Sequence, residues 1–164
     1  TLGAHLALDL DAPHADADDY FWMPTDPPYR DRRPGADRVA LMQSVFATRD
    51  RWVLSGSMMR WGDAVVALAD LAVQITLDPK VRMARLMARE EKAYGARIAE
   101  GGDMHGAHRN FIEWAQGYDE GTFTGRSRAA HDNYAASLAC PVLKLDGAAP
   151  IQDLVDQVRQ ALPS

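Results

Sequence analysis

Residues 1–22, TLGAHLALDLDAPHADADDYFW, set the fold prediction for this chain of 164 residues. Leu2, Leu6 and Leu10 recur at every fourth position, and this spacing predicts a helix with one buried face. A proline follows, and then a short strand that ends in clustered aspartates. A helix, a strand and clustered carboxylates therefore follow one another in this stretch.

The composition indicates one domain, 1–164, with a sizeable core, because 47% of the residues are hydrophobic. The formal net charge of −5 argues against a protein that follows nucleic-acid backbones by bulk charge, so we expect no nucleic-acid partner. The one cysteine, Cys140, fits a reducing, cytoplasmic compartment. The longest apolar runs have the length of strands, so we expect no membrane partner. The oligomeric state stays open.

Strand-like and helix-like segments alternate along the chain. The strand-like runs after the first are RWVLSGS (51–57), LADLAVQITLD (68–78) and CPVLKLDG (140–147). Asp78 and Pro79 predict a helix start, with the aspartate as N-cap, and Gly95 predicts its end. This alternation predicts an α/β fold, a three-layer parallel sheet with helices on both faces. Ligands bind such sheets at the carboxyl ends of the strands.

Helical spacing predicts four further segments. They are the run from Val39 to Phe46, FIEWA (111–115), GRSRAAHDNYAASL (125–138) and a closing amphipathic helix from Ile151 to Leu162. FIEWA lies within a long polar insert, residues 94–125, which we interpret as a lid.

Three arginines share one face of the helix that follows Asp78. Arg82, Arg85 and Arg89 are spaced by three and four residues, so they form one stripe. Like charges on one stripe repel unless an anion lies between them, which indicates an anion site. Salt bridges to Glu90 and Glu91 are the alternative interpretation.

Other arginines stand in a loop and near a helix start. YRDRRP contains Arg30 and Arg33, whose guanidinium groups can grip a phosphate or carboxylate; a solvated basic loop is the alternative. Arg126 and Arg128 are two residues apart, so they face the same way only if the helix begins between them. Ser55, Gly56 and Ser57 form a small-residue turn that either lets a ligand approach the backbone or is an ordinary turn.

The order of WVLSGS, WGD, GGDM, FIEWA, RSR-x-x-H and CPVLKLDG resembles that in the P-loop small-molecule kinases. These include nucleoside monophosphate kinases, shikimate kinases and adenylate-kinase-like proteins. The resemblance implies the fold of the P-loop nucleoside triphosphate hydrolases. It also implies ATP-dependent phosphotransfer, with Mg²⁺, to a small nucleotide-, nucleoside- or shikimate-like acceptor.

The family's first strand and glycine-rich phosphate loop are not among these residues. TLGAHLALDL resembles the helix that follows that loop, so we expect the strand and the loop to precede Thr1. The alternative is a protein that lacks the loop and cannot turn over ATP. In that case the function is a non-catalytic nucleotide-binding or regulatory module.

The resemblance also implies roles for individual residues. Asp16 corresponds to the acid on the Mg²⁺ side, and Asp18 to the acid or base on the acceptor side; an acidic turn that caps a helix is the alternative for both. Arg85 corresponds to an arginine against the adenine, and Arg89 to one near the transferred phosphate. The remaining assignments are Arg126 and Arg128 for transition-state charge, Gly147 and Ala148 beside the adenine, and Arg30, Arg33, Ser55, Gly56 and Ser57 at the acceptor. The implied partners are ATP and a small-molecule acceptor.

Overall fold

The computed structural model describes residues 1–163 and divides them into two compact units. Unit 1 comprises residues 1–74 and 138–163, and unit 2 comprises residues 75–137. About half of the chain is helical. The helices are α1 (Leu2–Asp9), α2 (Ala17–Phe21), α3 (Gly35–Met42), α4 (Asp63–Val66), α5 (Pro79–Tyr94), α6 (His105–Gln116), α7 (Arg128–Ala136) and α8 (Ile151–Ala161). The strands are β1 (His14–Asp16), β2 (Val53–Ser55), β3 (Ala72–Thr76) and β4 (Val142–Asp146).

The predicted three-layer parallel sheet is wrong. β1 pairs in parallel with β2, and β3 pairs with β4, so the described residues contain two separate two-stranded sheets. The strands lie close to where the sequence predicts them, but alternation with helices does not determine which strands pair. Strands of three to five residues offer few ladder hydrogen bonds, so most of the packing in this chain comes from helices.

One hydrophobic core of unit 1 forms around α3 and the π-helical turn Gln43–Ala47 that continues it. Met42 and Phe46 are almost completely buried, as the helical spacing of this segment predicts. The Phe46 ring makes edge-to-face contacts with Tyr20 and Trp52, both with centroids 5.5 Å apart. Such contacts add to the free energy of burial. This core therefore holds α2 and the start of β2 against α3.

A second core of unit 1 joins the first and last helices to β4. Leu2 and Leu6 of α1 are buried, as their spacing predicts. α8 contributes a buried stripe, and Leu145 contributes the fully covered position of β4. The buried members of this core are Leu2, Leu6, Leu145, Leu154, Val155 and Val158. The prediction of an amphipathic closing helix is thus confirmed.

In unit 2, α5 begins and ends as the sequence predicts. The Asp78 carboxylate accepts hydrogen bonds from the backbone N–H groups of Lys80 (2.9 Å) and Val81 (3.2 Å). Pro79 is the first helical residue, and Gly95 ends the helix with φ +48°. This φ lies in the left-handed region, which glycine adopts without steric cost.

The segment predicted as a lid, residues 94–125, contains a 3-10 turn (Gly95–Arg97), α6 and a series of turns after Gln116. Arg97 and Asp103 form a bidentate ion pair within it, at 2.7 and 3.0 Å. Whether this segment closes over a ligand stays a prediction. Within residues 1–163, no helix combines the length and the apolar character needed to cross a bilayer.

Candidate functional site

In unit 1, the carboxyl ends of β1 and β2 lie side by side. Asp16 is opposite Ser55 in the parallel ladder. Gly56 follows with φ +105°, and a Cβ at this position would lie 2.7 Å from the Cβ of Ala17. Only glycine fits here without displacing its neighbour. The turn of Ser55, Gly56 and Ser57 is therefore packed tightly against the residues that follow β1.

Asp16 and Asp18 do not share a strand face, because β1 ends at Asp16 and α2 begins at Ala17. Asp16 is the N-cap of α2, and its Oδ1 accepts a hydrogen bond of 3.0 Å from the backbone N–H of Asp18. This arrangement is the capping alternative that the sequence left open. Both aspartates are nevertheless exposed. Each still presents carboxylate oxygens to solvent at the end of the two strands.

The sequence did not predict a histidine–serine pair that lies at this edge. The Nε2 atom of His14 lies 2.8 Å from the Oγ atom of Ser55. Gly3 of α1 packs against both side chains, and a Cβ there would lie 2.7 Å from His14 Nε2. The two residues are 41 positions apart, so only the register of β1 on β2 brings them together.

The predicted acceptor arginines have different environments. Arg33 donates through Nε to the carbonyl oxygen of Tyr20 (3.0 Å) and through Nη2 to that of Trp22 (3.4 Å). It therefore holds the end of α2 with part of its donor set. Arg30 is exposed. The acceptor role of both arginines stays a prediction.

Beside Arg33, two arginines pack on a group of aromatic rings. The Arg38 guanidinium lies 3.9 Å from the centroid of Phe21, and Arg32 lies 5.9 Å from the centroids of Phe21 and Trp22. Burial, followed by the positive charge of Arg32, lowers the pKa of Arg38. Phe21 also packs edge-to-face on Trp61, at 5.5 Å. These cation–π contacts order the surface that carries Arg33.

In the turn after β4, Asp146 accepts hydrogen bonds from two backbone N–H groups. Its Oδ1 accepts from the N–H of Ala148 (2.9 Å), and its carbonyl accepts from the N–H of Ala149 (3.1 Å). The Ala148 N–H is therefore engaged within the turn. The predicted contact of Gly147 and Ala148 with an adenine stays a prediction.

Unit 2 contains an arginine-lined cavity of about 370 Å³ between α5 and α6. This volume lies in the lower part of the range for small-molecule pockets. The three arginines that share a face of α5 all line it, together with two aromatic rings of α6. The lining residues are Leu77, Arg82, Arg85, Leu86, Arg89, Phe111, Trp114 and Ala115. We call this cavity the arginine groove.

The arginines of the groove differ in how firmly they are held. Arg82 donates through Nη2 to the Ala115 carbonyl (2.9 Å) and to Oδ2 of Asp119 (2.8 Å), and its side chain is 25% exposed. Arg89 is 67% exposed and pairs with its neighbour Glu90 at 2.9 Å, so the salt-bridge alternative holds for this residue. The Glu90 side chain is only 12% exposed, so the pair joins an exposed guanidinium to a nearly buried carboxylate.

Arg126 and Arg128 flank the start of α7. Ser127 is the N-cap, and its Oγ accepts from the N–H of Ala130 at 3.2 Å. The helix thus begins between the two arginines, which is the condition that the sequence sets for them to face one way. Arg126 lies 5.1 Å from the centroid of Trp114, a wall of the arginine groove. Arg128 instead pairs with Oδ1 of Asp119 at 3.3 Å.

Tyr118 and His131 form a hydrogen-bonded pair near these arginines. Tyr118 Oη and His131 Nδ1 are 2.7 Å apart. Burial, followed by the positive charge of Arg126, lowers the pKa of His131, while the negative charge of Asp132 opposes this shift. Burial is also the largest cause that raises the pKa of Tyr118. Both groups are therefore held in their neutral forms at physiological pH.

The predicted site residues fall into two groups. Unit 1 contains Asp16, Asp18, Arg30, Arg33, Ser55, Gly56, Ser57, Gly147 and Ala148, and unit 2 contains Arg85, Arg89, Arg126 and Arg128. The sequence did not indicate His14, Asp119 or Trp114. Trp114 lies three residues after Phe111 on one helix. This spacing is the one sequence signal that indicates that both rings line the same side of the arginine groove.

A protein of Bacillus subtilis (strain 168), described as "Uncharacterized protein YqaC", is 34% identical to this chain over 164 residues. The match covers 100% of this chain and 90% of the Bacillus protein. No protein-family model matches the chain. No solved structure matches it either.

Proposed function

This chain belongs to the family of Bacillus subtilis YqaC, and we propose that it is an ATP-dependent phosphotransferase that acts on a small metabolite. The arginine groove is the observation that carries the proposal. It combines guanidinium groups, which bind phosphate oxygens, with half-buried aromatic and aliphatic walls, which suit a flat ring. Polyphosphate and adenine in one ligand match both parts of this lining.

Arg85 and Arg89 are the arginines that bind the nucleotide in this proposal. They are one helical turn apart on α5 and line the same cavity. Arg89 is 67% exposed, and its guanidinium has five N–H donors, so it can bind a phosphate while it keeps Glu90 as a partner. Arg126, stacked on Trp114, adds positive charge beside the same wall. ATP as the cofactor therefore fits the charge and the lining of the groove.

Mg²⁺ fits the proposal as a partner of ATP. Within residues 1–163, no group of three or more His, Cys, Asp or Glu side chains is arranged to hold a metal ion. Mg²⁺ that arrives with a nucleotide keeps phosphate oxygens and waters as ligands and needs only one or two carboxylates. Asp16 of unit 1 is the proposed protein ligand of Mg²⁺, through the carboxylate oxygen that does not cap α2.

Asp18 is the proposed acid or base for the acceptor hydroxyl. It is exposed on the first turn of α2. Arg30, Arg33 and the turn of residues 55–57 are the proposed acceptor contacts. One cysteine in 164 residues supports a reducing compartment, and we include a cytoplasmic location in the proposal.

One observation favours a second candidate, a nucleotide-binding module without turnover. The Asp16 carboxylate already caps α2, so its role is accounted for without a metal. A module of this kind would use the arginine groove for binding alone. Turnover distinguishes it from the phosphotransferase.

The test is to incubate the protein with ATP, Mg²⁺ and a panel of nucleosides, nucleoside monophosphates and hydroxylated acids, and to follow the phosphorus species by ³¹P NMR. We expect ADP and a phosphorylated acceptor, and a loss of about 10²-fold or more in kcat for Asp18→Asn. Asp19→Asn, the neighbouring exposed aspartate, is the matched control. ATP binding without turnover would favour the module, and absence of ATP binding would refute both candidates.

A further inference from the structure

Asp119 is a carboxylate of unit 2 that two arginines from different helices contact. Its Oδ2 accepts from Arg82 of α5 at 2.8 Å, and its Oδ1 accepts from Arg128 of α7 at 3.3 Å. The three side chains are 20%, 25% and 33% exposed, in the order Asp119, Arg82, Arg128. Charge-assisted hydrogen bonds in such partly desolvated surroundings are stronger than at an open surface.

A backbone hydrogen bond closes the loop that contains Asp119. The N–H of Arg128 donates to the carbonyl of Tyr118 at 3.0 Å, so two residues ten positions apart are joined at the base of this loop. Tyr118 also packs under the Arg82 guanidinium, with its centroid 5.1 Å away. The carboxylate therefore sits where the end of α6, the start of α7 and α5 meet.

This contact reaches the arginine groove on two sides. Arg82 is itself a lining residue, and its Nε atom is buried without a hydrogen-bond partner, so its orientation depends on the bonds made by Nη2. Arg128 fixes the start of α7, two residues after Arg126, which covers Trp114. One negative charge between two positive ones also leaves the cluster with a net positive charge.

We propose that Asp119 is a positioning residue, which orients Arg82 and the Arg126–Arg128 segment so that the arginine groove is preformed for an anionic ligand. The proposal rests on the function proposed above in taking ATP as that ligand. Asp119 does not touch the ligand. It acts through the arginines, since a carboxylate in direct contact would repel phosphate.

The experiment compares wild type with Asp119→Asn, which keeps the size of the side chain and removes its charge. We expect the Kd for ATP with Mg²⁺, measured by calorimetry, to rise about tenfold, the effect of a lost charge-assisted hydrogen bond. The Nε–Hε cross-peaks of Arg82 and Arg128 in ¹⁵N NMR spectra should shift in the same variant. Asp103→Asn, which breaks the Arg97 pair elsewhere in unit 2, should leave the Kd within about twofold.

Asp119→Glu keeps the charge but moves it by one methylene, so its Kd should lie between those of wild type and Asp119→Asn. If Asp119→Asn does not fold, Asp119→Glu serves as the test, and a Kd of Asp119→Glu equal to that of wild type would overturn the positioning role. Unchanged ATP affinity and unchanged arginine cross-peaks in a folded Asp119→Asn would overturn it as well. Absence of ATP binding by wild type would instead refute the proposed function, and the positioning role with it.

Discussion

At the scale of single residues, this chain uses several charged side chains for two purposes at once. Asp16 caps α2 and is exposed at the end of β1. Arg33 binds two backbone carbonyls and keeps further donors. Arg89 pairs with Glu90 beside a cavity that it lines. A sequence pattern reports the residue type at such positions, whereas only the contacts tell how much of each group is already engaged.

Asp16 can be tested by separating its charge from its capping role. Asp16→Ala removes the acceptor for the Asp18 N–H and should lower the free energy of unfolding by about 0.5–2 kcal/mol. Asp16→Asn keeps an acceptor and should change it by only a few tenths of a kcal/mol. Chemical denaturation followed by circular dichroism measures both values. Equal destabilisation by Ala and Asn would contradict the capping role.

The pKa of His131 is lowered in the folded protein by burial and by Arg126, and only Asp132 opposes this shift. The unfolded chain therefore binds more protons below the ordinary value of 6.5, so stability falls as the pH decreases through that region. Above pH 6.5 the contribution of this group is constant. We expect His131→Gln to flatten the rise in unfolding free energy with pH on the acid side of about 6.5, measured by urea titrations at a series of pH values. Parallel curves for the two proteins would show that His131 is not the group responsible.

At the scale of elements, local signals predicted the strands and the longer helices, but not the short helices α2 and α4. Asp78, Pro79 and Gly95 set the ends of α5, and local signals of this kind can be read directly from the sequence. Pairing between strands is not local. His14 and Ser55 meet only through the β1–β2 register, and Asp119 meets Arg82 across 37 positions. These contacts depend on tertiary packing, which is why the sequence did not reveal them.

The packing of α1 on the β1–β2 edge gives a paired test of two glycines. Gly3→Ala should lower the free energy of unfolding by about 1–3 kcal/mol, because the new methyl group overlaps Ser55 Oγ and His14 Nε2. Gly106→Ala in α6 meets no atom within 4 Å and should raise it by about 0.5–1 kcal/mol. Thermal and urea unfolding measure both variants. A neutral Gly3→Ala would mean that α1 does not approach this edge so closely.

At the scale of the whole molecule, the sequence predicted most of the elements but not how they assemble. The order of helices and strands suggested one three-layer sheet, and the described residues instead form two two-stranded sheets in a helix-rich chain. The stripe of Arg82, Arg85 and Arg89 was predictable from helical spacing, and these residues line one cavity. The aromatic wall of that cavity comes from a separate helix, α6. The packing of α6 on α5 could not be predicted from the sequence alone.

The central claim is that the arginine groove binds the phosphates of ATP, and calorimetric titration of the whole protein with ATP and Mg²⁺ tests it most directly. Wild type should bind, and Arg85→Gln and Arg89→Gln should each raise the Kd about tenfold. Arg109→Gln removes the same charge from an exposed position of α6 outside the groove and should change the Kd by less than about twofold. No binding by wild type, or equal losses from Arg85→Gln and Arg109→Gln, would contradict the claim.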